Sequence, residues 1–369
     1  MFENMDVAAI LVAFVVAAVL IAVLLPFART LGLMDAPEGR KRHAETTPVV
    51  GGIAMLLGCL AGFLVGGYHT AMLYSFIIAA SLVVAIGVYD DRHDVAWYWR
   101  IGLQAIAALI IVHWGGVRVE QIGPMLGVQS TGLGMLSVPF TVFAMVGLIN
   151  ALNMTDGSDG LCGSLSMAAL VMLAAAAFYA GNDLLANRSL VVAAAVAGFL
   201  LWNLRFPWRA RARTFMGDAG SGFLGLVIAW VAFRLTQNPG HPVSPVLALW
   251  LVPIPVMDCL VLIFRRVIHG RSPFEAGRDH IHHLMFDAGF KPMGVAAVLT
   301  GFSLLTGLLA GLAMKIDVPN VILLLAYLAM CVGWFMLTRR RARAVAFFRR
   351  LAGKPASPLS DAAPTLKQQ

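Results

Sequence analysis

The sequence predicts an all-α polytopic integral membrane protein with about eleven transmembrane helices, its N-terminus outside and its C-terminus cytoplasmic. Three observations carry this. Of 369 residues, 60% are hydrophobic and only 12% charged, with a mean hydropathy of +0.82, whereas soluble domains carry about 25% charged residues. Apolar runs near or above the roughly 18 residues that a crossing needs recur along the whole chain. The basic residues also alternate. With the N-terminus outside, only Arg118, Arg188, Arg234 and Lys315 of the 27 Lys and Arg fall on outer segments. That asymmetry sets the orientation by the positive-inside rule.

The spans fall at 7–27, 49–66, 71–88, 100–114, 137–152, 163–180, 189–203, 219–236, 244–264, 292–313 and 320–338. The first follows Glu3 and Asp6, with no basic leader or small-residue cleavage site, and reads as a retained helix. Those at 100–114 and 189–203 are short, and neighbouring polar residues can extend them. Several helices carry Ala/Gly-rich faces suited to close packing in lipid. Cys59, Cys162, Cys259 and Cys331 lie in or beside spans without metal-ligand spacing and read as buried thiols. Residues 1–338 form one transmembrane domain, and 339–369 a basic cytoplasmic tail. Its "TRRRARAVAFFRRLAGK" segment suits the anionic inner leaflet, and the stretch beyond it reads as disordered. The net charge of +8 is a topology signal. No nucleic-acid partner is expected, since the basic residues are scattered over loops with no reading module.

The concentrated polar residues fall on inner loops: "EGRKRHAETTPVVGG" (38–52), "YDDRHD" (89–94), "NALNMTDGSDG" (150–160), "RARARTFMGDAGS" (209–221) and "RSPFEAGRDHIHHL" (271–284). Convergence on one membrane face argues for a single site at helix ends, where polar groups are still wetted. Asp90 and Asp94 share a helical face with Asp91 one step round. Such a cluster needs solvent, a partner or a cation, and a solvated loop paired with Arg92 and His93 is the plain alternative. Asp218 stands between Gly217 and Gly220 at the start of a span, where helix capping alone would explain it. Asn150 and Asn153 lie one turn apart, with Asp156 and Asp159 in the turn beyond. Together they offer oxygens suited to a hard divalent cation or to nucleoside hydroxyl and amide groups. His280, His282 and His283 beside Arg278 suit phosphate oxygens better than zinc, because no cysteine is near. Lys41 and His43 add to a basic loop that would be ordinary on its own. Acidic groups for magnesium, basic groups for phosphates and a lipid-facing site together describe phosphoryl transfer from a soluble nucleotide to a membrane-dissolved acceptor. A transporter or lipid scramblase is the competing class, but its polar groups would lie near the bilayer midplane.

The order "RKRH…TPVVGG", "DDRHD", "NALNMTDGSDG", "FMGDAGS", "SPF…GRDHIHHL" resembles the polyprenyl-phosphate N-acetylhexosamine-1-phosphate transferase family from about residue 35 to residue 290. The interrupted histidine run, with Ile281 inside it, is similar to the bacterial branch that moves GlcNAc-1-phosphate from UDP-GlcNAc to undecaprenyl phosphate. The branch using phospho-MurNAc-pentapeptide carries three continuous histidines. Other N-acetylhexosamines, such as FucNAc or GalNAc, remain alternatives.

The resemblance implies release of UMP with Mg2+ as cofactor and Mn2+ as a substitute. It implies a multi-pass enzyme of the bacterial inner membrane, active on the cytoplasmic face and compatible with a homodimer. Its product would initiate a lipid-linked cell-surface polysaccharide such as O-antigen. The metal would be held by Asn153 and Asp218, and the catalytic carboxylates would be Asp90, Asp91, Asp156 and Asp159. Asp90 and Asp91 match an acidic pair that activates or orients the lipid phosphate, and Asp156 and Asp159 match the nucleotide-sugar site. Phe215 matches an aromatic on which uracil stacks. Lys41, His43, Asn150, Arg265, Arg278, His280, His282 and His283 would contact substrate, with Arg266 an equal candidate for the role of Arg265. A phosphate monoester is largely ionised near neutral pH, its second pKa being about 6. Direct displacement therefore needs no strong base and is favoured over an aspartyl intermediate.

Overall fold

The structure, a computed structural model, describes residues 5–35, 46–123, 132–237, 243–272 and 277–354. Among them the helices are, in order, α1 (Val7–Leu24), α2 (Gly51–Val65), α3 (Ala71–His93), α4 (Trp97–His113), α5 (Ser137–Thr155), α6 (Leu161–Tyr179), α7 (Asp183–Asn203) and α8 (Gly217–Thr236). There follow α9 (Pro245–Leu251), α10 (Pro253–Ile268), α11 (Ile281–Asp287), α12 (Pro292–Lys315), α13 (Asn320–Thr338) and α14 (Arg341–Leu351). One short antiparallel pair, β1 (Met34–Asp35) and β2 (Thr47–Pro48), leads into α2.

Eight helices are long and apolar enough to cross a membrane, or nine if α9 and α10 count as one bent span. The chain is an all-α polytopic membrane protein. All eleven expected segments are helical, but α2 and α4, at 15 and 17 residues, fall short of the roughly 20 that a full crossing takes. The expected span 244–264 is corrected: α9 and α10 meet at 92°. Pro253 and Pro255 donate no backbone hydrogen bond, and a proline also pushes the residue before it out of helical geometry. Val252, at φ −130° and ψ 47°, is that residue. The expected span 189–203 starts six residues earlier, at Asp183, because the Asn182 side chain accepts from the Leu185 N–H at 3.1 Å and caps it.

Helix α8 is the central post. In its apolar window 89% of residues are buried, against 22% for α1 and α13, whose outer faces are left for lipid. Its neighbours come close through small residues, as membrane helices do in the absence of a hydrophobic drive between them. At Gly87 of α3 an added Cβ would stand 2.3 Å from the Ala219 Cα, so the α3 and α8 backbones meet directly. This crossing lies one turn below Asp90 and one residue after Asp218. It therefore fixes the spacing of the two carboxylates.

A second, smaller core gathers Ile254, Met257 and Val261 of α10, Leu284 and Met285 of α11, Val295 and Leu299 of α12, Trp334 of α13 and Phe348 of α14. The tail segment forms α14, which packs on this core by one face. Its apolar residues Ala344, Val345 and Phe348 dock on the protein, and the Phe348 ring meets Phe290 and Trp334. The last stretch, expected to be disordered, lies outside the described residues.

Because Gly87 has no room for a methyl group, Gly87→Ala is expected to force α3 from α8 at a cost of about 1–3 kcal/mol. Thermal unfolding in detergent should show the midpoint falling by several degrees, whereas Gly102→Ala on α4, which meets nothing within 4 Å, leaves it in place.

Candidate active site

The site begins with how α8 is started. The strand-like segment before it is pinned to the entry of α2. The Phe215 N–H donates to the Pro48 carbonyl at 2.9 Å, and the Gly51 N–H donates to the Phe215 carbonyl at 3.1 Å. Gly217 then turns with φ +68°, and a Cβ there would stand 2.3 Å from Asp91 Oδ2. Only glycine fits. The Asp218 N–H donates to Asp91 Oδ1 at 3.0 Å, so Asp91 on α3 compensates the N-terminus of α8.

Four helices meet at the Asp218 carboxylate. Arg100 of α4 donates from Nη1 to Asp218 Oδ2 at 2.9 Å and to Asp90 Oδ2 at 2.6 Å. Asn153 of α5 donates from Nδ2 to Asp218 Oδ1, and also to Ser221 Oγ at 3.1 Å. Asp90 is buried and takes a further bond from the Val95 N–H at 2.6 Å. From this hub a narrow cleft, partly open to solvent, runs between α3, α4, α5 and α8. Arg100, Asn153 and Asp218 line its polar end. Gln104 and Asn150, hydrogen-bonded at 2.7 Å, line it one turn further along their helices.

The α5–α6 turn carries Asp156 and Asp159 in different surroundings. Burial, and then the nearby Asp218, Asp91 and Asp159 carboxylates, push Asp156 well above the usual carboxylate range. Asp159 faces the segment before α8, where it accepts from Arg205 Nε at 2.7 Å and from the Ala212 N–H at 3.2 Å. The histidines close the other side. A Cβ on Gly157 would stand 2.2 Å from His282 Nε2, so His282 abuts the turn directly. His282 is buried and stacks on His280, with ring centroids 5.8 Å apart and planes 9° apart, while His283 lies 4.2 Å away. Burial first, then His283 and His280, pull its pKa well below the ordinary imidazole value.

The structure therefore brings together Asp90, Asp91, Asn150, Asn153, Asp156 and Asp218, with His282 on the far side of the α5–α6 turn. Phe215 borders the hub through its backbone. Arg265 turns away: it donates to the Thr338 carbonyl at 2.9 Å and pairs with Asp279 at 3.4 Å. Arg278 is exposed, and its carbonyl accepts from Arg341 at 2.8 Å. Lys41 and His43 lie outside the described residues. Sequence reasoning missed Arg100, Gln104 and Asp258. Arg100 counted only as a topology charge, although it heads the same helix face as Gln104. Asp258, an ionisable residue inside an apolar span, carried a functional signal on that ground alone.

The donor set at the hub is oxygen-rich, with Asp218, Asp91, Asn153 and Ser221. Asp91 Oδ2 is buried without a hydrogen-bond partner. Among the described residues no group of three or more His, Cys, Asp or Glu is arranged around a metal position. These residues fit a magnesium ion, which takes one or two protein oxygens and fills its shell from phosphates and water.

A bundle of apolar helices thus ends in a carboxylate–arginine–asparagine hub. The family described as glycosyl transferase family 4 matches residues 73–236, which hold the hub. Relatives match almost end to end. The chain is 33% identical to the undecaprenyl-phosphate alpha-N-acetylglucosaminyl 1-phosphate transferase of Escherichia coli O157:H7, over 88% of each chain. It is 35% identical to the protein of that name from Haemophilus influenzae, over 89% of this chain and 90% of the other. The Yersinia pestis counterpart is 32% identical, over 87% and 88%. The chain belongs to glycosyl transferase family 4.

His282 gives a pH expectation. Its folded pKa lies below the unfolded value of about 6.5, so the unfolded chain binds the extra proton first as pH falls. Its contribution to stability is full above about pH 6.5 and is lost below it. Thermal unfolding followed from pH 7.5 to 5 should show the midpoint falling through this window, with a shallower fall in His282→Asn.

Proposed function

We propose that this protein transfers GlcNAc-1-phosphate from UDP-GlcNAc to undecaprenyl phosphate and releases UMP, working at the cytoplasmic face of the bacterial inner membrane with Mg2+. The observation that carries this reading is the Asp218 hub. It sets a cation and a hard-oxygen donor set at the mouth of a cleft between apolar helices, where a water-soluble pyrophosphate and a lipid phosphate can meet. The name shared by the relatives supports the same donor sugar and acceptor. The inner-loop charge excess supports the orientation.

In the proposed reaction an oxygen of the lipid phosphate attacks the β-phosphorus of the donor. The bond from that phosphorus to the bridging oxygen breaks, and UMP departs with the oxygen. Asp218 and Asn153 would hold Mg2+, with the Asn153 amide turned to present its oxygen, and Mn2+ suits the same donors. Bound there, the metal supplies charge neutralisation on the pyrophosphate. The chain's own residues do the positioning. Asp90 already accepts from Arg100 and from the Val95 N–H. Its role is to aim the Arg100 guanidinium at phosphate oxygens. The acceptor is ionised without help, so direct displacement requires no proton transfer to Asp90. Asp91 holds the start of α8, and His282 and His283 meet the donor from the side of the α5–α6 turn. Phe215 would stack on uracil.

The test is purified protein in detergent with Mg2+, undecaprenyl phosphate and a panel of UDP-GlcNAc, UDP-GalNAc, UDP-FucNAc and UDP-MurNAc-pentapeptide. UMP release and a lipid-linked product are expected with UDP-GlcNAc. Asp218→Asn or EDTA should lower the rate at least about 100-fold. Turnover of no UDP-sugar in the panel would overturn the reading.

A further inference from the structure

The smaller core contains a buried carboxylate to which neither the sequence motifs nor the proposed chemistry gives a task. Asp258 lies on α10, 6% exposed, among Ile254, Met257 and Trp334. A buried carboxylate is costly unless its oxygens are satisfied, and here three donors satisfy them. His280 Nδ1 lies 2.9 Å from Oδ2, Trp334 Nε1 donates to Oδ1 at 3.2 Å, and the Ile281 N–H donates to Oδ1 at 3.2 Å. The three come from two separate stretches of chain: α13, and the segment that opens α11. One carboxylate therefore ties the start of the histidine helix to the bundle.

The tie has a direction. With Nδ1 held, the His280 ring cannot rotate, and it is the ring on which His282 stacks. His282 has no hydrogen bond at either ring nitrogen, so packing alone places it, between His280, His283 and Gly157. A buried ring without polar anchors depends for its position on its neighbours, and the His280 ring that lies parallel to it is held by Asp258.

We propose that Asp258 is a positioning residue. By fixing His280 it holds the stacked histidines against the α5–α6 turn, and so sets the face that the α11 segment presents to the donor's phosphates. This rests on the proposed function above. Such a residue acts on the alignment of the reacting groups more than on donor affinity, and misplacement by about 1 Å costs about 100-fold in rate.

The assay is UMP release with wild type, Asp258→Asn, His280→Asn and the double variant, each with its thermal midpoint. Asp258→Asn keeps the shape but removes the charge, and His280 Nδ1 must then either accept from the amide N–H in the opposite tautomer or lose the bond. Its kcat is expected to fall about 10- to 100-fold while KM for UDP-GlcNAc moves less than about threefold. The double variant should be no slower than His280→Asn alone, because the two act as one unit. A merely structural Asp258 would instead multiply the two losses and lower the thermal midpoint in parallel with activity. Should Asp258→Asn not fold, Trp334→Phe, which removes one donor, decides: a severalfold loss of kcat at unchanged KM supports the proposal, and an unchanged kcat overturns it. An active wild type with an unaffected Asp258→Asn, or with multiplying losses, sinks this inference alone. A wild type without turnover sinks the proposed function as well.

Discussion

The Arg100 guanidinium stands between two carboxylates, Asp90 and Asp218, that belong to different helices and could not otherwise share one end of an apolar bundle. Like charges at such range repel, and near a low-dielectric helix packing the repulsion is poorly screened. The arrangement is tolerated because each carboxylate has a compensating donor: Arg100 for Asp90 and Asp218, and the first N–H groups of α8 for Asp91. Remaining electrostatic demand falls on Asp156, which burial and the neighbouring acids hold towards its neutral form. A cation arriving at the hub would reverse that logic, since a bound metal is the largest local charge in its site.

The rest of the fold serves this end of the bundle. A central helix buried along its length can begin at Asp218 only because its neighbours approach to backbone contact at residues such as Gly87 and because residues 214–216 are pinned to the entry of α2. The break between α9 and α10 turns the chain by 92° and brings α10, with Asp258, under the histidine segment. The tail helix adds the last wall. Arg341 donates to the Arg278 carbonyl and pairs with Asp279 and Asp287, so the segment bearing the histidines is held from outside as well as from within.

Much of this was legible in the chain itself, for physical reasons. Lipid leaves a strong compositional mark, so the class and the eleven helical segments follow from apolar runs, and the polar loops stand out because polar residues are scarce. Asp90, Asp156 and Asp218 read as one site because scarcity makes their coincidence informative. Other features depend on distance between segments and left no local mark. The cap that extends α7 rests on one asparagine, and the 92° bend needed both prolines to be weighed against an otherwise continuous apolar run. Arg100 looked like a topology charge because nothing in its own segment shows that α3 and α8 deliver carboxylates to it. Asp159 reads like Asp156 in sequence, yet Arg205 and Ala212 hold it on the side of the α7–α8 segment. The tail's basic stripe is plain in the sequence, whereas the docking of its apolar residues Ala344, Val345 and Phe348 on the protein is not.

The most direct measurement is a structure of the protein in lipid nanodiscs with UDP-GlcNAc and Mg2+ bound. Density for the pyrophosphate is expected between Arg100, Asp218 and Asn153 on one side and His282 on the other, with the metal on Asp218. A donor seated elsewhere, with Arg100 still closed on Asp90 and Asp218 and no metal at the hub, would contradict that placement.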